Sequence, residues 1–191
     1  MPAFYKTVEA GHRFESACRD VLRKYTRHVH WGTRIDTAYT QSGFTEVDIL
    51  AAIVDVVLVV EVKNISRISG DLSSTHWELT GAIAGEPYRA LNIFTQNRIH
   101  ARSLKNAWWE RRGEVVPTLP LVLVPDECVM PAEIEDAGVF YYSQLDSQLQ
   151  KLTEEWSGPP KYGYSLDYLV PLDNFHLERE SWRSRSWGRK P

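Results

Sequence analysis

Apolar residues recur at three- and four-residue steps in the first part of the chain. Phe14, Cys18, Val21, Leu22 and Tyr25 form one stripe, which predicts an amphipathic helix over residues 8–27. Arg13, Arg19, Arg23, Lys24 and Arg27 fall mostly off the stripe, and Glu15 lies at its edge. Residues 28–36 read as a strand of mixed polarity, and residues 40–43 as a turn. Phe44–Ile53 and residues 56–63 are rich in β-branched side chains and predict an antiparallel hairpin. Its turn falls at Val54-Asp55, without the Gly or Asn that such turns favour. Residues 64–85 read as polar and irregular, anchored by Trp77.

A second long helix is predicted over residues 91–112. Ile93, His100, Ala101, Leu104, Ala107 and Trp108 share one face, with Gln96 and Asn97 beside them. Arg98, Arg102, Lys105 and Trp109 lie opposite. Residues 115–124 read as a strand in which Pro117 and Pro120 suit an edge or a strand start. Residues 139–142 form a short strand, and residues 143–156 a closing helix with Ser143 as its N-cap. Ser157-Gly158-Pro159-Pro160 ends the pattern. The expected organisation is a domain over residues 1–156 and an aromatic, basic tail over residues 157–191. Helices and strands in this order predict a mixed α/β layer architecture.

Against that pattern the charges of the central hairpin stand out. Asp48 ends one apolar run, and Glu61-Val62-Lys63 ends the next, with twelve residues between Asp48 and Glu61. Charged groups set among Val, Leu and Ile are costly to bury unless they pair or bind something. Strand alternation projects Glu61 and Lys63 to one side, and a suitable register brings Asp48 near Glu61. Asp48 and Glu61 would then hold a hard divalent cation. Mg2+ is the natural candidate, with Mn2+ as a substitute, because it takes one or two carboxylates together with waters and phosphate. Two anionic neighbours keep Lys63 charged, so its expected role is electrostatic rather than that of a base.

Composition narrows the picture. With 43% hydrophobic residues among 191, a real core is available. The net charge of −3 advertises no global nucleic-acid affinity, so any such surface is local, and a partner protein or second subunit is expected to add contacts. Cys18 and Cys128 lie outside any metal-binding spacing and read as reduced thiols of a cytoplasmic protein. No secretory signal is expected at the start of the chain, and no run is long enough for a membrane span.

Asp48 followed by Glu61-Val62-Lys63 resembles the PD-(D/E)xK nuclease motif. More narrowly, the chain resembles the nuclease-related (NERD) domain. Gly11-His12-Arg13-Phe14-Glu15 matches that family's opening helix, and Thr45-Glu46-Val47-Asp48 its "TEID" segment. Glu61-Val62-Lys63-Asn64, Ile68-Ser69-Gly70-Asp71 and Trp77 match the stretch that follows. Asn92-Ile93-Phe94-Thr95-Gln96 matches the family's "NP..Q" helix start, with Ile93 in place of Pro. The resemblance implies a restriction-endonuclease-like mixed β-sheet flanked by helices, and metal-dependent nuclease chemistry on DNA. Carried over by position, it implies Glu15, Asp48, Glu61, Lys63 and Gln96 as active-site residues.

Blander readings stand beside these. Glu15 suits a solvent-facing helix position and Gln96 a helix brace, while His100 reads as a satisfied core histidine. Arg98, Arg102 and Lys105 form either an ordinary solvated face or a phosphate-binding stripe. The alternative function is a catalytically silent domain that binds nucleic acid or a protein. A small-molecule hydrolase built on the same carboxylates is a third class.

Overall fold

The apolar run from Ile49 to Val60, broken by Asp55, forms the centre of the protein. The computed structural model describes residues 3–82, 85–155 and 166. Helix α1 (Ala3–Leu22) leads into β1 (Val29–Asp36), β2 (Phe44–Ile53) and β3 (Val56–Val62). Three short strands follow, β4 (Ile65–Ser69), β5 (His76–Gly81) and β6 (Pro87–Leu91). Then come α2 (Ile93–Arg112), β7 (Thr118–Val124), α3 (Ala132–Asp136), β8 (Val139–Tyr141) and α4 (Tyr142–Glu155).

The main sheet has the order β1-β2-β3-β7-β8. β1, β2 and β3 pair antiparallel, whereas β3 and β7, and β7 and β8, pair parallel. Helices cover both faces, which is why the central strands read as continuous apolar runs. Leu58, Val60 and Val62 of β3 pack with Cys18, Leu22, Leu145 and Leu149 of α1 and α4. Val57 and Val59 point the other way, onto Leu104 and Trp108 of α2. By the same alternation Glu61 belongs to the α2 side.

The hairpin turns at Val54-Asp55, as the pattern predicts, with Ile53 paired to Val56. Val54 takes a φ of 54°, a left-handed value that a β-branched residue rarely adopts. Of the two placements expected for Pro117 and Pro120, the edge is not found, because β7 lies between β3 and β8, but the strand start is: Pro117 immediately precedes β7 and Pro120 is its third residue. β8 pairs only with Val122, Leu123 and Val124, however, so Pro120 lies in the half of β7 that β8 does not reach. The missing N–H of Pro120 therefore breaks no ladder on that side.

Residues 64–85, expected to be irregular, contribute most of a three-stranded antiparallel sheet, β4-β5-β6. Only Trp77 and Leu79 of β5 alternate with exposed His76 and Glu78, too short a signal to stand out. The sheet exists because its inner face covers a third cluster containing Ile93, Val122, Val124 and Ile134. Gly70 is where that packing is tightest. Its φ is +148°, and a Cβ there would lie 2.5 Å from Trp77 Cδ1. The Trp77 indole N–H donates to Asp71 O at 2.8 Å, so the ring cannot swing away freely. Gly70→Ala is expected to destabilise the protein by about 2–4 kcal/mol in denaturant titration. An unchanged midpoint would mean that the Trp77 ring relocates at little cost.

One smaller expectation also changes, and the short helix α3 lies where the sequence pattern marks no element. Ser143 is not an N-cap but lies inside α4, and its backbone N–H donates to Asp126 Oδ1 at 2.8 Å. The cap comes from a loop distant in sequence. The tail over residues 157–191 lies outside the described residues except for Leu166, which is buried with Trp108 and Val116.

Candidate active site

Strand β2 leaves β3 at Asp48. The last backbone pair is Ile49 with Val60, while Thr45, Glu46 and Val47 pair only with β1. Where the ladder stops, the Asp48 side chain takes over: Oδ2 accepts the Val62 N–H at 2.8 Å. Opposite Asp48 on β1, Gly32 has a φ of 57°. The facing of side chains changes across this point. Trp31 and Ile49 pack toward α1, whereas Ile35 and Val47 pack toward α2. Asp48 therefore sits at a break in the hairpin, turned toward the end of β3.

Glu61 is 1% exposed and is the most enclosed charge of the site. The Gln96 side-chain amide donates to its Oε1 at 2.8 Å. The Lys63 ammonium pairs with the same oxygen, as alternation predicts for residues two apart. His100 Nδ1 lies 3.2 Å from Oε2. That approach is an ion-pair distance, yet neither atom has an aligned hydrogen-bond partner. Gln96 and His100, four residues apart, reach Glu61 from one side of α2.

Helix α2 is placed to do this by its start. Asn92 is the N-cap, and its Oδ1 accepts the N–H groups of Phe94 at 3.0 Å and Thr95 at 3.4 Å. Its amide also donates to Ser74 O at 2.9 Å, tying the helix start to the loop before β5. Ile93 occupies the first helical position, where a Pro would cost no hydrogen bond. Further along, Asn97 is 1% exposed and donates to Val59 O and Leu121 O, locking α2 against β3 and β7.

The electrostatics separate the two acids. Burial raises the Asp48 carboxyl, and the Glu61 charge beside it raises it further, to about 8. Burial also works against ionised Glu61, but His100 and Lys63 outweigh it and hold Glu61 below the usual carboxylate range. Burial pulls Lys63 down, while Glu61 and Asp48 pull harder and raise it. One acid is thus firmly ionised, the other is held back, and the lysine stays charged at neutral pH. Among the described residues, no group of three or more His, Cys, Asp or Glu is arranged to hold a metal ion.

Asp48, Glu61, Lys63 and Gln96, singled out in the sequence, converge here. Glu15 stands at the margin. It is half-buried on α1, its Oε2 lies 3.6 Å from His12 Nδ1, and its charge helps raise both Asp48 and Cys18. Cys18 is fully buried and held at about 12, first by burial and then by Glu15, so it is a packing residue. Arg98, Arg102 and Lys105 are exposed, as the stripe requires. They lie roughly on the far side of α2 from Gln96 and His100. The Arg102 guanidinium rests 4.3 Å from the Tyr39 ring centroid. His100, a core histidine on the sequence pattern, is buried but belongs to the site, and its spacing of four from Gln96 is the signal that the sequence carries.

A mixed sheet flanked by helices, with paired acids and a lysine where two strands part, is the restriction-endonuclease-like architecture. The family model of the nuclease-related domain, NERD, matches residues 10–125, and the chain belongs to that family. No curated protein and no solved structure matches it. No helix among the described residues is long and apolar enough to cross a membrane.

Proposed function

We propose that the protein is a Mg2+-dependent nuclease that hydrolyses DNA phosphodiester bonds at Asp48, Glu61 and Lys63. The observation that carries this reading is the convergence of two acids and a lysine: the half-buried Asp48 carboxylate accepts the N–H of Val62, which lies between Glu61 and its ion-pair partner Lys63, and, after burial, the Glu61 charge helps raise Asp48. Such pairs are costly for folding and are kept where they serve a site.

The donor set suits a hard divalent cation. Asp48 has one oxygen engaged by the Val62 N–H, and Glu61 Oε2 has the His100 ring 3.2 Å away without an aligned hydrogen bond. Two carboxylates are also as many as Mg2+ ordinarily takes from a protein, and Mn2+ would use the same oxygens. When bound, the cation supplies Lewis-acid polarisation of the phosphate and a more acidic water. Asp48 and Glu61 would hold it. Lys63, charged at neutral pH, would stabilise negative charge building on the phosphate oxygens. Gln96 and His100 would keep the Glu61 carboxylate in place, and Glu15 would add negative potential beside Asp48.

One observation favours a catalytically silent binding domain instead. Glu61 Oε1 already carries both Gln96 and Lys63, a closed arrangement that needs no cation. Cleavage of labelled DNA with Mg2+ or with EDTA separates the two. The expected result is cleavage that requires Mg2+. Binding without cleavage, with Mg2+ or Mn2+, would establish the silent domain.

Arg98, Arg102 and Lys105 are the proposed phosphate contacts. Bound there, phosphates would lie on the outer side of α2, so the strand would have to pass around the helix to reach Glu61. A second subunit or partner protein would supply further contacts. Replacing the three residues with Gln is expected to make the log-log salt dependence of duplex binding shallower by about 0.9 per lost contact. Equal slopes would assign DNA holding to another surface.

A further inference from the structure

Pairing in the small sheet aligns Ile68, Leu79 and Tyr88 in one row across β4, β5 and β6. Ile68 and Leu79 are 2% and 1% exposed, as core residues should be, whereas Tyr88 is 49% exposed. The inner face of the sheet thus ends, on its edge strand, in an open aromatic ring. β6 continues through Asn92 directly into α2, whose first turns bring Gln96 to Glu61. Lys63 stands just before β4, at the other entry to the same small sheet. The Ala82 N–H at the end of β5 donates to Asn64 O at 3.4 Å, beside Lys63, and the neighbouring Thr80 pairs with Pro87, the residue before Tyr88.

We propose that Tyr88 is a stacking platform for an unpaired base beside the phosphodiester delivered to Asp48, Glu61 and Lys63. The preferred substrate is therefore a nucleic acid with an unpaired nucleotide at the scissile position. The proposal rests on the nuclease reading for the place of the phosphate. The base contact itself does not need cleavage. Every base has a π-face, and stacking on an aromatic side chain binds single strands with little regard to sequence. A continuous duplex has its bases stacked on one another and offers no such face. Tyrosine suits the position, since its ring is apolar while its polar tip tolerates a neighbouring ammonium and phosphate.

The test uses the full chain in EDTA and a single-stranded oligonucleotide carrying 2-aminopurine, whose fluorescence falls when it stacks. Wild type and Tyr88→Phe are expected to quench it on binding. Tyr88→Ala is expected to lose the quenching and to bind roughly 5- to 150-fold more weakly. No quenching by wild type, or undiminished quenching by Tyr88→Ala, overturns the proposal. The same preparations are then given Mg2+ with single-stranded and duplex DNA. A preference for the single strand that disappears in Tyr88→Ala and survives in Tyr88→Phe supports it. Cleavage that ignores both strandedness and Tyr88 overturns it while sparing the nuclease reading. Tyr88-dependent quenching by a protein that never cleaves overturns the nuclease reading and upholds the stacking.

Discussion

Lys63→Ala is expected to lower Mg2+-dependent cleavage by about 10²–10³-fold, the usual cost of removing one electrostatic stabiliser of the transition state. The fold should survive. The Lys63 backbone N–H donates to Leu123 O at 2.9 Å, and that bond does not depend on the side chain. Removing the ammonium leaves Asp48 and Glu61 without their shared cationic neighbour. A proton can take its place, because the Asp48 carboxyl already sits at about 8 and would rise further. Gln96 and His100 remain on Glu61. Circular dichroism on the assayed preparation separates chemistry from folding, and Lys63→Gln, which keeps much of the stem, should fail equally. Cleavage within about twofold of wild type would remove Lys63 from the mechanism.

Asp48→Asn should do two things at once: abolish Mg2+-dependent cleavage and stabilise the cation-free protein at alkaline pH. The sign follows from the direction of the shift. An Asp carboxyl ordinarily titrates near 3.8, and in the fold Asp48 is held at about 8. Its contribution to stability is fully present below about pH 4 and is lost as pH rises through about 8. Wild type in EDTA should therefore weaken across this window, and Asp48→Asn should weaken less. Asparagine can still accept the Val62 N–H through its side-chain oxygen. At pH 8.5 the expected gain is about 1–3 kcal/mol, a rise of several degrees in Tm. Mg2+ should raise the wild-type Tm by mass action and leave the variant unmoved. A lower Tm for Asp48→Asn in EDTA, or equal Mg2+ shifts in both proteins, would deny Asp48 its place as a cation ligand.

Much of the site was legible because its residues lie on long, periodic elements. Phe44–Ile53 and Val56–Val62 declare themselves as strands through β-branched content, and alternation alone puts Glu61 and Lys63 on one side. The apolar face of α2 fixes which way Gln96 points. His100 was harder. A histidine on an apolar helix face looks like core, and only the course of α2 over β3 shows Glu61 Oε2 3.2 Å from it.

The chain by itself thus determined the helices that flank the sheet, the central hairpin and the identities of the acids and the lysine. These follow from local periodicity and from the cost of burying charge. The tertiary structure decided what depends on contacts between distant segments. The small sheet forms because Trp77 and Leu79 find a core to cover. Pro120 is tolerated in an interior strand because β8 is short. Helix α4 is met at its start by Asp126, not by its own serine. Above all, the separation of β2 from β3 at Asp48 turns a carboxylate toward Val62 and into the field of Glu61. No local pattern encodes that separation, because it arises where two ladders of unequal length end.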